Sequence, residues 1–200
     1  MKNKIYIRGA GGFAIEVCAW AEQSGFKVIA FVDEFPQTKE LLGIPVVDRN
    51  GYDILAPVVV AIGNPHIRRK IVATEYSNAN FAIIIHPSAI VGKDVEIGPG
   101  SIICPNVVIT SKVKMGEHAH LNLATTVGHS CEIGSFFTTA PGAKISGDCK
   151  IGDRVYFGTN SSIKQKLTVV DDVIIGLGAG VLRNITQPGT YIGIPATEVK

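Results

Sequence analysis

Apolar residues recur at every sixth position through the second half of the chain. Steps of six from Ile85 to Val181 give seventeen positions, of which sixteen are apolar and one, Thr139, is polar. This period matches neither the 3.6 residues of a helical turn nor the alternation of a plain strand. It predicts a short strand and a corner, repeated without an interrupting loop over residues 85–186.

Three such units form an 18-residue triangular coil, and successive coils stack by parallel β pairing. The repeats predict between five and six coils in which residues 18 apart lie above one another. One predicted inward column includes two of the four cysteines and consists of Val95, Val113, Cys131, Cys149, Leu167 and Ile185. Glycine often follows the inward residue, and we interpret it as a response to the sharp turn at each corner. These glycines are Gly92, Gly98, Gly116, Gly128, Gly134, Gly152, Gly158 and Gly176.

The first 84 residues alternate strand-like and helical patterns, as βαβ units do. Strands are predicted at 5–7, 28–32 and 58–62, and helices at about 12–24 and from Pro65 onward, where Asn64 can cap the helix. The chain therefore divides into an α/β, Rossmann-like module at residues 1–84 and a parallel β-helix with a C-terminal tail at residues 85–200.

A glycine-rich turn joins the first strand to the first helix. The segment from Gly9 to Ala14 matches the GxGxxA fingerprint, in which glycines let the backbone approach a phosphate at a helix N-terminus. Asp33 and Glu34 follow the second strand, where an acid can accept ribose or base hydrogens. A tight turn without a ligand is the alternative. The module is too short for a whole dinucleotide, so a mononucleotide fits better.

Charge and cysteine usage narrow the function classes. The chain has 19 basic and 17 acidic residues, dispersed to a net charge of +2, so neither nucleic acid nor membrane is an expected partner. Apolar stretches are too short to span a bilayer and the start lacks a leader pattern, which predicts a cytoplasmic protein. The cysteines lack CxxC spacing and are expected to be reduced and packed. The histidines do not have the spacing of a zinc site, so no metal is expected.

Several segments together resemble a known family. They are IYIRGAGGFAIEV, FVDE, VVVAIGNPHIRRKI, LNLATTVGHSCEIG, APGAKISG and YIGIPA. The whole chain resembles the bacterial UDP-4-amino-sugar N-acetyltransferases of bacillosamine-type pathways and the related sialic-acid O-acetyltransferases. The resemblance implies a left-handed β-helix of hexapeptide repeats. It also implies acetyl-CoA as co-substrate, a nucleotide-linked 4-amino sugar, with UDP the expected nucleotide, as acceptor, and a homotrimer with active sites between subunits. Exposed Val and Ile on flat β-helix faces would also favour association.

The resemblance implies roles for individual residues. The nucleotide sugar is expected to contact Gly11, Gly12, Phe13, Asp33, Glu34, Gly63 and Asn64. His129 is expected to be the general base, and Asn122 to position the substrate. Three positions depart from the family pattern, since Phe13 and Thr138 replace histidines and Ser130 replaces the acid that often follows the base.

The acetyl-CoA site is expected along one edge of the β-helix. His129 follows a corner glycine and should project away from the core, while Gly147, 18 residues later, offers a backbone N–H to an oxyanion or thioester carbonyl. The expected cofactor-binding residues are Thr138, Gly147, Gly158, Gly176, Gly178, Ile194 and Pro195. O-acetylation of sialic acid or another sugar, an NAD-dependent oxidoreductase and a non-catalytic scaffold remain as alternatives.

Overall fold

A computed structural model describes residues 3–199, and its N-terminal part is an α/β module. The module holds one five-stranded sheet in the order β3-β4-β2-β1-β5, with β1, β2, β4 and β5 parallel to their neighbours and β3 antiparallel to β4. Its elements are β1 (Asn3–Arg8), α1 (Gly12–Gln23), β2 (Phe26–Val32), β3 (Glu40–Leu41), β4 (Ile44–Val47), a 3₁₀ turn (Arg49–Gly51), β5 (Val58–Val60) and α2 (Pro65–Glu75).

The strand–helix order predicted for this module is confirmed, with one addition. β1 and β5 are almost completely buried, and α1 covers one face of the sheet through Ala14, Val17 and Ala21. The Asn64 side chain accepts the backbone N–H groups of His66 and Ile67, both at 3.0 Å, and so caps α2 as predicted. The β3–β4 hairpin was not predicted.

The second part of the chain is a left-handed parallel β-helix with three flat faces. Face 1 consists of β6 (Ile84–Ile85), β9 (Ile102–Ile103), β12 (His120–Leu121), β15 (Thr138–Thr139), β18 (Tyr156–Phe157) and β21 (Val173–Ile175). Face 2 consists of β7 (Ile90–Val91), β10 (Val108–Ile109), β13 (Thr126–Val127), β16 (Lys144–Ile145), β19 (Ser162–Ile163) and β22 (Gly180–Val181). Face 3 consists of β8 (Glu96–Ile97), β11 (Lys114–Met115), β14 (Glu132–Ile133), β17 (Lys150–Ile151) and β20 (Thr168–Val169). The tail adds β23 (Gly189–Ile192) and β24 (Thr197–Glu198) to face 1.

The coil register follows the predicted spacing of 18 residues. Thr126, for example, pairs with Val108 below and Lys144 above. The predicted inward column is confirmed at its centre, where Val113, Cys131 and Cys149 have no exposed surface. The polar exception, Thr139, also points inward, and its hydroxyl lies 2.8 Å from that of Thr125 and accepts the Asn122 N–H at 2.9 Å. Paired hydroxyls thus make a polar residue tolerable inside the coil.

The corner glycines have a different physical reason from the one predicted. None of the eight has a positive φ; the left-handed residue of each corner comes two positions later and is usually not glycine, as at Asn106, Ser130 and Phe136. A Cβ on Gly116 would lie 2.6 Å from the Ser135 nitrogen, and one on Gly128 would lie 2.5 Å from the Gly147 nitrogen. These glycines therefore allow close stacking of coils and do not make the turn.

The three faces differ in what covers them. The N-terminal module packs on face 1, where Ile84, Ile102, His120 and Thr138 are buried although they point outward. Face 3 carries a ladder of alternating charges, with Lys114 3.4 Å from Glu96 and Lys150 3.5 Å from Glu132. On face 2, exposed apolar surface is concentrated at Ile90 in the first coil. The expectation of broad exposed Val and Ile faces is therefore wrong, because the most apolar face is covered by the chain's own module.

No helix among residues 3–199 combines the length and apolar character that crossing a bilayer requires.

Candidate active site

The predicted nucleotide-binding residues lie at one edge of the N-terminal sheet. Gly11 and Gly12 follow β1, Asp33 and Glu34 follow β2, and Gly63 follows β5. Because these strands are parallel, their carboxyl ends meet at the same edge, which is where open α/β sheets bind ligands.

The start of α1 is open to an anion. Gly11 is the N-cap residue, no side chain caps this helix end, and both Gly11 and Gly12 are exposed with nothing within 4 Å of a Cβ built on either. Uncapped N–H groups and the helix dipole attract phosphate.

The two acidic candidates and the amide candidate are arranged differently. The Asp33 carboxylate accepts the Phe35 N–H at 3.0 Å and so shapes the loop after β2, while Glu34 is exposed. The Asn64 oxygen is occupied by the cap of α2. Asp33 and Glu34 are therefore placed at the loop surface, whereas Asn64 fixes the loop that carries Gly63.

A cleft of about 300 Å³ separates this edge from the β-helix. Two of its lining residues come from the N-terminal module, and the others come from faces 1 and 2 and the corner between them. They are Phe13, Gly63, His120, Asn122, Thr138, Thr139, Ala140, Pro141, Tyr156 and Thr159. The structure thus brings together four predicted site residues, Phe13, Gly63, Asn122 and Thr138, from both modules.

Arg68 of α2 joins the two modules beside this cleft. Its guanidinium is fully buried, and burial lowers its pKa to about 9, so it remains charged at neutral pH. It donates to six oxygens, namely those of Ile62 (2.6 Å), Gly63 (3.1 Å), His118 (3.1 Å), Phe136 (2.9 Å), Phe137 (3.3 Å) and the Thr138 hydroxyl (2.7 Å). Arg68 therefore fixes the Gly63 loop against two coils of the β-helix.

Thr138 is held by this network. Its hydroxyl accepts from Arg68 and donates to the Gly63 carbonyl at 3.3 Å, and the residue is almost completely buried. It binds the two modules to each other, and its expected contact with the acetyl donor stays a prediction.

Two buried histidines at the module interface were not predicted as site residues. The His118 ring stacks on Phe136 with centroids 5.0 Å apart and meets the edge of Phe81 at 4.4 Å. Burial, reinforced by Arg68, lowers the pKa of His118 to about 4. The His120 ring packs against Phe13 at 5.4 Å, and burial lowers its pKa well below the usual 6.5. Both rings are therefore neutral at physiological pH.

His129 lies on the corner between faces 2 and 3. It is exposed, as is Ser130, whose hydroxyl lies 3.3 Å from Nδ1 of His129. The imidazole lies over Gly147 of the next coil, since a Cβ there would come within 2.8 Å of Nε2. No hydrogen bond among the described residues uses the Gly147 N–H. An imidazole and an unused backbone donor thus share one corner, as base and oxyanion stabiliser would.

Within one protomer, His129 does not reach the cleft. Asn122 lies at the corner between faces 1 and 2, and β13 of face 2 separates it from the corner that carries His129. At about 3.3 Å per residue of extended chain, the two corners are roughly 20 Å apart.

The remaining cofactor candidates lie along the corner between faces 1 and 2, in the last coils. Gly158, Gly176 and Gly178 follow one another up this corner. The exposed side chains of Leu177 and Ile194, with 77% and 73% of their surface accessible, stand beside Gly178 and Pro195. The corner therefore offers an apolar strip continuous with the cleft residues Tyr156 and Thr159.

No group of three or more metal-ligating side chains occurs among residues 3–199.

Comparison with known proteins gives full-length similarities. The family described as the PglD N-terminal domain matches residues 4–74. WeeI from Acinetobacter baumannii AYE is 31% identical with a TM-score of 0.88, covering 98% of this chain and 99% of its own. The acetyltransferase domain of PglB from Neisseria gonorrhoeae is 29% identical with a TM-score of 0.91, covering 98% and 100%. PerB from Caulobacter crescentus, solved with CoA and GDP-perosamine, is 28% identical with a TM-score of 0.90, covering 99% and 98%.

Proposed function

We propose, because this chain belongs to the hexapeptide-repeat family of sugar N-acetyltransferases with a PglD N-terminal domain, that it transfers the acetyl group of acetyl-CoA to the amine of a nucleotide-linked 4-amino sugar. The observation that carries the proposal is the cleft in which the nucleotide-type loops of one module face Asn122 of the other. A related protein of the same length and fold, PerB, holds CoA and GDP-perosamine.

The N-terminal module binds the nucleotide in this proposal. The uncapped start of α1 receives the diphosphate, Asp33 and Glu34 accept hydrogen bonds from the ribose or base, and the Gly63 loop closes the site. We expect UDP as the nucleotide. The sugar then extends into the cleft towards Asn122.

His129 acts as the general base. Its neutral imidazole removes a proton from the sugar ammonium or amine as the nitrogen attacks the thioester carbonyl, and the Gly147 N–H donates to the oxygen that becomes negative. Breakdown of the tetrahedral intermediate releases CoA as the thiol. Ser130 stays within reach of Nδ1 and orients the ring.

Acetyl-CoA binds along the apolar corner. The exposed side chains of Leu177 and Ile194 suit the uncharged pantetheine arm, and the glycines at 158, 176 and 178 leave the backbone accessible. We expect the reaction to take place in the cytoplasm, where acetyl-CoA is available.

The active protein is a homotrimer in this proposal, because one protomer does not contain a whole site. The cleft and the cofactor corner lie on one side of face 2, and His129 with Gly147 lies on the other. A neighbouring copy that places its His129 corner against the cleft completes the site, and a threefold ring repeats this contact three times.

An acetyl-transfer assay tests the function directly. The purified protein is mixed with acetyl-CoA and, in separate reactions, a UDP-linked 4-amino sugar, GDP-perosamine and sialic acid, and CoA thiol release is followed with mass spectrometry of the product. We expect an N-acetylated nucleotide sugar, with the UDP-linked acceptor preferred. Turnover with sialic acid alone, or with none of the amines, would contradict the proposal.

A further inference from the structure

His120 is a buried polar residue without a polar partner. It lies on β12, points outward from face 1 and is 1% exposed, yet neither of its ring nitrogens forms a hydrogen bond among residues 3–199. Leaving a buried polar group unpaired costs on the order of 1–3 kcal/mol, so such groups need an explanation.

The nearby protein atoms do not supply that partner. The Val60 carbonyl is close enough to favour a protonated ring, but it does not meet hydrogen-bond geometry, and one carbonyl can face only one ring nitrogen. At least one nitrogen of His120 therefore has no acceptor or donor from the protein. Phe13, which packs against the ring, is apolar.

The position of His120 indicates which part of a ligand would supply the missing partner. The cleft it borders lies between the nucleotide loops, represented by Phe13 and Gly63, and Asn122 of the β-helix. Its volume of about 300 Å³ is at the lower end of the range of roughly 300–1,000 Å³ for small-molecule sites. This space suits one sugar ring and not a whole nucleotide sugar.

We propose that His120 is a specificity-determining residue that hydrogen-bonds the amino-sugar ring of the substrate in this cleft. The inference rests on the proposed function and identifies the part of the substrate that one further residue recognises. Rotation of the partly exposed Phe13 ring gives a sugar hydroxyl access to the imidazole. A buried polar group that is paired only by the correct ligand discriminates strongly against analogues lacking that group.

The neutral state of the ring agrees with this role. Burial, Arg68 and His118 all lower the pKa of His120, while only the Val60 carbonyl raises it. A neutral imidazole has one donor and one acceptor nitrogen and can pair with a sugar hydroxyl in either direction.

His118 provides a matched control. It is two residues away, equally buried and also without hydrogen-bond partners at its ring nitrogens, but it does not border the cleft. Phenylalanine fits there, because Phe136 occupies the equivalent corner of the next coil with the same left-handed backbone. His120→Phe and His118→Phe thus remove the same atoms at similar burial and differ in access to the cleft.

The experiment measures binding separately from turnover. Calorimetry gives Kd for a UDP-linked 4-amino sugar, GDP-perosamine, UDP and acetyl-CoA with wild type and both variants, and steady-state assays give KM and kcat. We expect His120→Phe to weaken binding of the preferred nucleotide sugar about tenfold, with Kd for UDP and acetyl-CoA within twofold. His118→Phe should leave all four constants within twofold. His120→Gln, which keeps donor and acceptor, should recover part of the affinity.

Each result decides between the two hypotheses. Equal nucleotide-sugar affinity in His120→Phe and wild type overturns the role of His120, as does an equal loss for UDP, which would indicate a general structural effect. If His120→Phe fails to fold, His120→Gln decides, and unchanged binding of both sugars to nucleotide-only level overturns the inference. Wild type that binds nucleotide sugar but transfers no acetyl group contradicts the proposed function and leaves the His120 contact standing.

Discussion

At the scale of single residues, His129 depends on little of the surrounding structure. Its ring is exposed, its one side-chain neighbour at hydrogen-bond range is Ser130, and the space beneath it exists because residue 147 is glycine. A side chain with so few contacts contributes little to stability, so its substitution reports on chemistry.

We expect His129→Ala to lower kcat by about a hundred- to ten-thousand-fold, the usual loss when a general base is removed. The melting temperature and the KM for both substrates should change little. Ser130→Ala should cost less than His129→Ala. Turnover of His129→Ala within threefold of wild type would remove this residue from the mechanism, and a larger loss from the serine would reverse the two roles.

The sequence predicted some residues and not others for a physical reason. Asn64 could be placed as a cap because capping depends only on residues within one turn of the chain. Arg68 stands in the run RRK of a helix and looks solvent-exposed in sequence, but it is buried because a coil 50 to 70 residues away packs on it. His118 and His120 were missed likewise, since outward positions of a β-helix are buried only where another module covers them.

At the scale of elements, the stacking of coils depends on the glycine before each corner. The period of six was readable from sequence because it repeats the same local geometry, but the purpose of these glycines was not, since it involves the coil above. The left-handed backbone falls two residues later, on residues as different as Asp94 and Phe136.

Gly116→Ala should therefore lower the free energy of unfolding by about 2 kcal/mol, in the range for overpacked positions. A Cβ at this position meets the backbone nitrogen of Ser135, which cannot move without shifting a coil. Ser146→Ala changes the equivalent hexad position where a Cβ is already accommodated, and it should stay within about 0.5 kcal/mol of wild type. Urea unfolding measures both, and equal values would show that coil spacing does not require the glycine.

The interface between face 1 and the N-terminal module should be sensitive to acid. The pKa of His118 is lowered from 6.5 to about 4 in the folded protein, so between these values the unfolded chain takes up a proton that the folded chain does not. Stability is then fully present above pH 6.5 and falls as the pH decreases, by about 2 kcal/mol at pH 5 for this residue.

Unfolding by urea at pH 7 and pH 5 measures this loss, with His118→Phe as the comparison. The variant should lose about 2 kcal/mol less than wild type between the two values. The same decrease in both proteins would mean that other groups, and not His118, govern the acid response.

At the scale of the whole molecule, the division of the site between two corners predicts that inactive subunits can complement each other. His129→Ala keeps an intact cleft and lacks the base. Gly12→Glu keeps the base but places a carboxylate where the diphosphate binds, and the exposed helix start accepts this side chain because no atom lies within 4 Å of a Cβ there.

When the two variants are unfolded and refolded together in equal amounts, about one quarter of the sites in random trimers should contain both an intact cleft and an intact His129. Each variant refolded alone should remain inactive, and sedimentation should show trimers throughout. Recovery of no activity from the mixture, or an active monomer, would contradict a site shared between subunits.

The spacing of 18 residues between stacked positions also limits how the chain can change in length. A single inserted or deleted residue inside a coil would move every later inward side chain to the surface, whereas the loss or gain of a complete 18-residue coil would preserve every column. Because residues 118–138 contact Arg68 and line the cleft, whole coils can be exchanged only beyond them, towards the cofactor corner. Length variation among natural or engineered forms of this enzyme should therefore be quantised, and it should alter the reach of the acyl-donor groove while leaving recognition of the sugar unchanged.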